Sequence, residues 1–555
     1  MKVVIVGGVA GGMSAATRLR RLAEHAEIVV LERGGYVSFA NCGLPYHVGG
    51  VIPERDDLLL QSPEGLRERF GLDVRVRHEA LGIDRTERRV RVRDLTTGNE
   101  YTEDYDTLIL SPGAGPVVPP VPGAERALTL RDIDDLDRLT SALRGNRDGA
   151  TAMTADGAGK AVVVGAGFIG VEVAENLRHR GIEVTMIELA DQVLAPLDPE
   201  MAAPVADRLR AGGVRLRLGV QINAIDDDGV ELSDGDRVPA GTVVMAIGVR
   251  PETALARAAG LEIGERGGIV VDEHMRTSDA DIFAVGDAVE KRDAVGGTPA
   301  LIALANLANR QGRIAADAIC GLKNTVRPAV GTAVVSVFGL TVAATGWNEK
   351  RLRAVGRPYR VIHTHGSSHA GYYPGARPLA LKLLVDPDTD AVLGAQVVGE
   401  DGAERRIDVL ATAMAGGLAA SELIQLELAY APQYGSAKDP VNMLGYVADN
   451  LRAGTSRTVQ WHELAALAAD GARPVDVRSE REFAAGAIPG AINIPLDRLR
   501  DRIDQLPDGD LVVYCKGGQR AYNALRILTQ HGRTAVNLDG GYLTWSAGTG
   551  AASAT

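Results

Sequence analysis

The sequence has very little cysteine. Its 555 residues include three, Cys42, Cys320 and Cys515. So few cysteines exclude a disulfide framework, and their wide spacing excludes a zinc site, so no bound metal is expected. Each cysteine is therefore either a buried thiol or a reactive one. Cys320 lies in an apolar helical pattern and is interpreted as core filler.

Positive net charge and long apolar runs are also lacking. A net charge of −12 and a pI of about 5.5 argue against nucleic acid or an anionic membrane as the main partner. No apolar run is long enough for a membrane span. Met1 and Lys2 lead into an apolar strand rather than a signal peptide, so we expect a cytoplasmic protein.

Alternating strand and helix patterns dominate the first part of the chain, which indicates parallel α/β sheets. Beyond about Val326 the pattern becomes α+β, and a polar stretch at Arg452–Arg457 precedes a last unit. The predicted fold is α/β, with two Rossmann-like dinucleotide-binding domains, an α+β domain and a C-terminal α/β domain. The predicted bounds are 1–115 with 246–325, then 116–245, 326–451 and 456–555.

Two glycine-rich turns follow predicted strands and precede predicted helices. Such a turn lets the backbone approach a pyrophosphate, which the helix N-terminus then binds. An acidic residue ends the next strand in each case, Glu32 and Glu188, where it can bind a ribose hydroxyl. The two turns are Gly7-Gly8-Val9-Ala10-Gly11-Gly12, in which Val9 replaces the middle glycine, and Gly165-Ala166-Gly167-Phe168-Ile169-Gly170.

The residues after Glu188 bear on the choice of nicotinamide cofactor. Leu189, Ala190 and Asp191 provide no arginine for a 2′-phosphate. We therefore expect NADH to be preferred, with NADPH as a possible second donor.

Two further segments resemble the pyridine nucleotide-disulfide reductase family. They are Leu110-Ser111-Pro112-Gly113-Ala114 and the run Thr277–Ala288, which ends in Gly286-Asp287-Ala288. The resemblance implies FAD and an NAD(P)H-binding domain, with Asp287 on the ribityl chain. The implied cofactor-binding residues are Gly7, Gly8, Ala10, Gly11, Gly12, Glu32, Arg33, Asn41, Ser111, Pro112, Gly113, Gly165, Gly167, Phe168, Ile169, Gly170, Glu188, Gly248, Gly286 and Asp287.

A single cysteine, Cys42, follows the first turn. No second cysteine occurs in the next five positions, so it cannot form the internal disulfide of two-cysteine reductases. A lone thiol can become a sulfenic acid, a mixed disulfide or a persulfide. The segment Ser38–Tyr46 and the turn with Val9 are similar to coenzyme A disulfide reductases. Ala10 stands where related peroxidases and oxidases have histidine, which counts against a peroxidase.

Coenzyme A recognition is implied by the same resemblance. Arg18 and Arg21 share a helix face and would bind CoA phosphate, although a solvated basic face is the alternative. Ser38 and Asn41 would line the channel. Two later segments resemble parts of the family that reach the partner's site in a homodimer, although interface packing is the alternative. Their predicted catalytic residues are Tyr373 and Tyr430, with Tyr372 and Tyr434 as neighbouring CoA-site residues.

The C-terminal unit contains a second cysteine motif after an apolar strand. Backbone N–H groups at a helix N-terminus, with Lys516 and Arg520, favour a thiolate at Cys515. The Cys-to-Arg step is five positions, shorter than in cysteine phosphatases, and the loop resembles that of rhodaneses. Catalytic roles are predicted for Cys515, Lys516 and Arg520. The motif reads Cys515-Lys516-Gly517-Gly518-Gln519-Arg520-Ala521.

The predicted protein is a homodimeric FAD-dependent NAD(P)H reductase of sulfur–sulfur bonds. Cys42 would react with a CoA persulfide, a polysulfide or CoA disulfide, with coenzyme A as a bound participant. Cys515 would deliver sulfane sulfur. Three alternatives stay open: an NADH oxidase or peroxidase using a Cys42 sulfenic acid, a thiosulfate sulfurtransferase, and a non-enzymatic redox sensor.

Overall fold

A computed structural model describes residues 1–148 and 159–551. The chain divides into two units, and each is described by itself. The first unit contains Met1–Asp191 and Gly213–Ala329, and the second contains Gln192–Gly212 and Val330–Thr555.

A parallel five-stranded sheet forms the first layer of unit one. Its strands are short and apolar because both faces are buried, one against helices and the other mainly against an antiparallel sheet. In spatial order they are Ile282–Ala284, Thr107–Leu110, Lys2–Val6, Glu27–Glu32 and Asp73–Val76. The helices Ala10–Leu22 and Ala305–Ile319 pack closely on each other through small residues, and the shorter helices here are Leu44–Gly49, Pro63–Phe70 and Ala254–Ala258. An antiparallel sheet of His78–Asp84, Arg89–Asp94 and Glu100–Asp104 adjoins them.

A second parallel sheet in unit one repeats this strand–helix–strand pattern. Its spatial order is Val214–Leu218, Glu183–Glu188, Lys160–Val164 and Thr242–Met245. The helices are Ile133–Asp148 and Phe168–His179. A small antiparallel sheet of Ile222–Asp226, Gly229–Leu232 and Arg237–Pro239 lies beside it, and the pair Ala114–Pro116 and Val249–Pro251 also runs antiparallel.

Unit two begins with an antiparallel five-stranded sheet. Its spatial order is Ala333–Val337, Leu340–Gly346, Val392–Gly399, Pro378–Val385 and Arg360–Ser367. The helices are Pro199–Ala211, Glu349–Ala354, Ala403–Gly416 and Pro440–Arg452. Apolar residues of the sheet and of the last two helices, among them Leu381, Ile407 and Leu444, form one buried core.

The C-terminal part of unit two has a parallel sheet. Its order is Thr458–Val459, Ala535–Leu538, Leu511–Tyr514, Arg473–Asp476 and Ile492–Asn493. Its helices are Leu464–Ala469, Glu480–Ala484, Gln519–Gln530 and Gly541–Thr549. The predicted fold class, two parallel nucleotide-binding sheets, an α+β part and a final α/β part, is confirmed. Within residues 1–148 and 159–551, no helix has the length and apolarity to cross a membrane.

Candidate active sites

The first glycine-rich turn joins the strand Lys2–Val6 to the helix Ala10–Leu22. Gly7 has φ +102, and a Cβ there would lie 2.0 Å from the Ser111 carbonyl oxygen, so glycine is required. Gly12 is equally constrained, since its Cβ would lie 1.9 Å from the Gly7 oxygen. Among the described residues no side chain caps this helix. Its first N–H groups are therefore suited to binding a phosphate.

The second turn has the same construction. Gly165 has φ +103, and a Cβ on Gly170 would lie 2.0 Å from the Gly165 oxygen, so helix and strand pack closely. A Cβ on Gly167 would meet no described atom within 4 Å, which makes the backbone accessible there. The helix Phe168–His179 also lacks a side-chain cap among the described residues. These residues fit a second dinucleotide.

Glu32 and Glu188 occupy equivalent positions at the two turns. The Glu32 carboxylate accepts bonds from the N–H groups of Gly8 at 2.7 Å and Gly34 at 2.6 Å. Glu188 accepts from Ala166 at 2.7 Å and Ala190 at 2.9 Å. Each carboxylate oxygen has a further lone pair for a ribose hydroxyl. Arg33, beside Glu32, is exposed and 3.8 Å from Glu252.

The turn after the strand Ile282–Ala284 holds Gly286 and Asp287. The Gly286 N–H donates to the buried Gln311 side chain at 2.9 Å, and Lys291 Nζ donates to the Gly286 carbonyl at 2.6 Å. Burial lowers the pKa of Lys291 to about 8, although the Asp287 carboxylate opposes this shift. Arg131 lies 3.8 Å from Asp287. Arg131, Lys291 and Gln311 were not predicted from the sequence, because nothing in the local pattern around them indicates a ligand.

The segments at Ser111 and Ser38 complete this part of unit one. The Ser111 N–H donates to the Val6 carbonyl at 2.7 Å, and the Ser38 N–H donates to the Gly8 carbonyl at 2.9 Å. Both segments thus lie directly beside the first turn. Ser38 has φ 45, a left-handed conformation that is costly for serine and typical of functional loops. Gly113 has φ +75, which glycine adopts without strain, and Pro112 precedes it. In the second turn, the Ile169 side chain is exposed.

Cys42 lies in the one-turn helix Asn41–Gly43, directly before the helix Leu44–Gly49. It is a free, exposed thiol, and its N–H donates to the Asn41 side chain at 3.1 Å. Partial burial by the surrounding protein raises the pKa of the Cys42 thiol, and the Glu172 carboxylate raises it further. Tyr46 donates to Glu172 at 2.9 Å. Burial also raises the pKa of Glu172.

Glu172 was not predicted from the sequence. It stands two residues after Gly170, in the N-terminal half of the helix Phe168–His179. Its position near a nucleotide-binding helix terminus was a usable signal. Its link to Tyr46 and Cys42 was not, because the contact joins segments more than a hundred residues apart.

The two arginines predicted for coenzyme A differ in their surroundings. Arg18 Nε donates to Asp317 at 2.6 Å, and the Asp317 side chain is fully buried. Arg21 is exposed. A phosphate at Arg18 would therefore be bound by the two terminal nitrogens of its guanidinium, while Arg21 presents its whole guanidinium.

The four predicted tyrosines lie on the surface of unit two. Tyr372 and Tyr430 are joined by a hydrogen bond of 2.9 Å between their hydroxyls. Tyr373 packs edge-on against His369, with ring centroids 5.8 Å apart. Tyr434 is 67% exposed. Tyr430, predicted to act together with Tyr373, is hydrogen-bonded to Tyr372 instead.

Cys515 follows the strand Leu511–Tyr514 and precedes the helix Gln519–Gln530. The thiol is buried, and the Gly518 N–H donates to its sulfur at 3.1 Å. Gly518 has φ +101, so the loop needs glycine to turn this N–H toward the sulfur. A backbone donor aimed at sulfur stabilises a thiolate or a persulfide anion. Lys516 is exposed at the start of the loop.

Arg520 is held by Glu482, which was not predicted from the sequence. Its guanidinium donates to both Glu482 oxygens, at 2.6 and 2.8 Å. Glu482 in turn accepts from the N–H of Ser479 at 3.1 Å. Hydrogen bonding to Arg520 lowers the pKa of Glu482 to about 2. The pair therefore places a fixed cation at the rim of the Cys515 loop.

Family comparisons agree with this geometry. Residues 1–312 match the family described as pyridine nucleotide-disulphide oxidoreductase, residues 332–440 match its dimerisation domain, and residues 460–548 match the rhodanese-like domain. Because the first match covers more than half of the chain, the protein belongs to the pyridine nucleotide-disulphide oxidoreductase family. It is an FAD- and NAD(P)H-dependent oxidoreductase joined to a rhodanese domain.

Similar proteins indicate which type of oxidoreductase this is. The Bacillus anthracis protein CoADR-RHD is 46% identical, with a TM-score of 0.96 over 99% of this chain and 98% of that chain. A NAD-dependent persulfide reductase from A. fulgidus is 38% identical, with a TM-score of 0.90 over 98% of this chain and 100% of that one. The coenzyme A disulfide reductase of Staphylococcus haemolyticus is 33% identical over 451 residues, covering 81% of this chain and 100% of the relative. The protein is an oxidoreductase of the coenzyme A disulfide reductase or persulfide reductase type.

Proposed function

We propose that the protein uses NADH to reduce sulfane sulfur at Cys42, releasing sulfide, with a CoA persulfide as the preferred substrate. The observation that carries this proposal is that Cys42 is an exposed free thiol without a neighbouring cysteine. Its oxidised form must therefore contain sulfur or oxygen from outside the chain. The rhodanese domain supports sulfur over oxygen.

The reaction at Cys42 begins with the thiolate. Attack on the outer sulfur of R–S–SH breaks that S–S bond, forms a Cys42 persulfide and releases R–S⁻, which takes up a proton. FAD, which the first glycine-rich turn and Asp287 would hold, would supply two electrons derived from NADH when bound. Those electrons and two protons split the Cys42 persulfide into the thiol and hydrogen sulfide. The sum is NADH, H⁺ and R–S–SH giving NAD⁺, R–SH and hydrogen sulfide.

Glu172 and Tyr46 would accept and donate protons near Cys42. The pKa of the Cys42 thiol is raised, so its proton must be taken up when the thiolate forms. The Glu172 carboxylate accepts a hydrogen bond from Tyr46 and acts electrostatically on Cys42. Burial raises the pKa of Glu172, and a carboxyl group with a raised pKa is better suited to general acid–base exchange than an ordinary one.

Coenzyme A would be recognised by two kinds of residue, basic ones for its phosphates and hydroxyl-bearing ones for its thiol end. Arg18 and Arg21 would bind its phosphates, and Ser38 and Asn41 would line the path to Cys42. In a homodimer, Tyr373 and Tyr430, with Tyr372 and Tyr434, would hydrogen-bond the leaving thiolate in the partner's site. All four tyrosines are exposed, which supports this role.

Cys515 would carry sulfane sulfur before its reduction. Its thiolate attacks the outer sulfur of a donor such as thiosulfate, forming a Cys515 persulfide and releasing sulfite. The Gly518 N–H and the Arg520 guanidinium would stabilise the terminal sulfur. A thiol acceptor, coenzyme A in this proposal, then removes that sulfur as R–S–SH, the substrate of the Cys42 reaction.

The decisive experiment is anaerobic NADH oxidation by the FAD-loaded protein with CoA persulfide and, separately, CoA disulfide. We expect faster turnover with the persulfide and one sulfide per NADH. Cys42→Ser should abolish both activities while FAD stays bound, and Cys320→Ala is the matched control. Preference for CoA disulfide without sulfide would overturn the persulfide assignment, and normal turnover in Cys42→Ser would overturn the mechanism.

A further inference from the structure

Two histidines of the dimerisation-domain sheet face the rhodanese domain inside unit two. His363 and His365 lie on the strand Arg360–Ser367, which is the last in its sheet. Their spacing of two places both side chains on one face of the strand. The rhodanese segment opposite them is 539–544, which runs from the end of the strand Ala535–Leu538 into the helix Gly541–Thr549.

His363 joins two buried carboxylates. Its Nδ1 lies 2.7 Å from Asp539 Oδ2 and its Nε2 lies 3.0 Å from Glu200 Oε1, and the three side chains are 2% to 3% exposed. Its backbone N–H also donates to Asp539, at 2.9 Å. Neutral imidazole donates from only one nitrogen, so both contacts require the charged ring. Burial lowers the pKa of His363, but Asp539 and Glu200 outweigh it and raise that pKa to about 9.

His365 contacts the Cys515 loop directly and is neutral. A Cβ on Gly517 would lie 2.9 Å from the His365 Cβ, so the loop backbone packs against this side chain. His365 Nε2 and Thr544 Oγ1 are joined by a hydrogen bond of 2.8 Å. Burial lowers the pKa of His365 to about 3, and the charges of His363 and Lys516 add to this effect.

The segment held by the two histidines also holds the catalytic loop. The Tyr542 N–H donates to the Cys515 carbonyl at 2.8 Å, and the Leu543 N–H donates to the Lys516 carbonyl at 3.1 Å. Gly540 and Gly541 both have positive φ, at +68 and +60. A Cβ on Gly541 would lie 2.4 Å from the Cys515 carbonyl oxygen. A shift of Asp539 would therefore move the backbone of the Cys515 loop, because only a few residues separate Asp539 from the hydrogen bonds to that loop.

We propose that His363 and His365 are positioning residues for sulfur transfer: they fasten the rhodanese domain to the dimerisation domain and fix the backbone of the Cys515 loop. The proposal rests on Cys515 as the sulfur carrier, as proposed above. It does not depend on which sulfur compound is reduced at Cys42. Under this proposal, sulfur transfer at Cys515 depends on the contact with the dimerisation domain, so the rhodanese domain is not an independent module.

The two histidines give this attachment a pH optimum. His363 is faced by Asp539, Glu200 and Lys382. Because its pKa is raised, His363 stabilises the attachment fully at pH values below the ordinary histidine pKa of 6.5. This contribution is lost as pH rises through about 9. His365 is faced by His363 and Lys516. Its lowered pKa weakens the attachment as pH falls below 6.5, because the detached ring takes up a proton. The attachment is therefore strongest near pH 6.5.

The test uses the full FAD-loaded chain and measures thiosulfate-to-cyanide sulfur transfer from pH 6.5 to 10. His363→Asn leaves an amide N–H near the Nδ1 position and so keeps the Asp539 contact, whereas His363→Gln keeps the Glu200 contact. We expect His363→Gln to lower the rate of sulfur transfer about tenfold at pH 7, which corresponds in free energy to a shift of one pKa unit. His363→Asn should retain more activity. The variant-to-wild-type ratio for Gln should rise toward one above pH 9, where wild-type His363 is itself neutral. His531→Gln, an exposed histidine of the same domain, is the control.

Equal transfer by wild type and His363→Gln at every pH would overturn the proposal, as would a constant ratio across pH. If the His363 variants fail to bind FAD, Thr544→Val removes the His365 hydrogen bond instead; it should lower transfer and speed amide exchange in 539–544, and unchanged values would count against the proposal. Cys515→Ser separates the two proposals. Transfer that survives in Cys515→Ser refutes the carrier itself, whereas transfer that depends on Cys515 but not on His363 refutes only the positioning role.

Discussion

Glu482 binds the guanidinium of Arg520 through both carboxylate oxygens, at 2.6 and 2.8 Å. Glu482 is itself fixed at the start of the helix Glu480–Ala484, where it forms a capping box with Ser479. The cation at the Cys515 loop is thus oriented by a carboxylate from another helix. Arginine in a two-point contact of this kind is held in direction as well as in position.

Removing that carboxylate should impair sulfur transfer. In Glu482→Ala, Arg520 loses its orientation, and we expect kcat for thiosulfate-to-cyanide transfer to fall by about tenfold, a loss of ~1.4 kcal/mol in transition-state binding. NADH-dependent reduction of added CoA persulfide should be unchanged. Glu480→Ala, an exposed acid in the same helix turn, is the control. Equal losses in both variants would point to general helix damage instead.

The acidity of Cys42 should respond to Glu172. The Glu172 carboxylate raises the pKa of the Cys42 thiol, so Glu172→Gln should lower it. The measurement is the pH dependence of iodoacetamide alkylation in the FAD-loaded protein, whose midpoint should move to lower pH. Glu175→Gln, one turn further along the same helix, should leave the midpoint in place. A midpoint unchanged by Glu172→Gln would rule out the electrostatic link.

Substitution of Arg18 should affect the stability of the protein, whereas substitution of Arg21 should affect the binding of coenzyme A. Arg18→Ala leaves the buried Asp317 carboxylate without its closest cation, so we expect a loss of roughly 2–3 kcal/mol in the free energy of unfolding. Arg21→Ala should leave stability unchanged and raise KM for CoA persulfide but not for glutathione persulfide. Arg67→Ala, an exposed arginine elsewhere in the unit, is the control. Equal KM increases for both persulfides would exclude Arg21 as a CoA ligand.

Nicotinamide choice should depend on the residue after Glu188. Leu189 is 67% exposed, so an arginine there costs little stability and can meet a 2′-phosphate. The wild type should favour NADH over NADPH in kcat/KM, and Leu189→Arg should reduce that ratio by about tenfold, one charge-assisted contact. Val355→Arg tests the effect of added charge alone. A wild-type preference for NADPH would contradict the assignment of Glu188.

Local patterns were sufficient to predict the fold class and the glycine-rich turns. Each turn has a local pattern of closely spaced glycines, and the positive φ at Gly7 and Gly165 demands glycine. The close backbone contacts at these glycines, with Ser111 and Ala246, are made by tertiary packing. The alternation of apolar strands and helices is likewise a local pattern, and it predicted the parallel sheets.

The electrostatic surroundings of the sites could not be predicted. Glu482 lies 38 positions from Arg520, Glu172 lies 126 from Tyr46, and Asp539 lies 176 from His363. Each pair is made by tertiary packing, and an acidic residue in a single sequence has the same local pattern whether it is solvated or bonded to a distant partner. Arg18 shows the converse case, because its predicted phosphate role gave no sign of the buried Asp317 beside it.

The buried cluster around Lys382 supports the last prediction. Its ammonium group is fully buried and binds Asp198 at 2.9 Å, together with Glu200 and Glu349. These three carboxylates are close enough to hold a metal ion, and the ammonium lies among them. Lys382→Met would leave three buried anions facing each other. We expect it to lower the free energy of unfolding by about 3–5 kcal/mol.

The sign of the pH dependence distinguishes this cluster from simple loss of packing. Burial opposes ionisation of both carboxyls, but His363 and Lys382 together hold the pKa of Glu200 below its ordinary value of 4.5, and Lys382 does the same for Glu349. Their stabilising contribution is present above that pH and is lost as pH falls below it. The stability difference between wild type and Lys382→Met should therefore be largest at neutral pH and should narrow below pH 4.5 in urea unfolding, with exposed Lys323→Met as the control. A difference that stays constant with pH would show that Lys382 acts through its hydrocarbon stem rather than its charge.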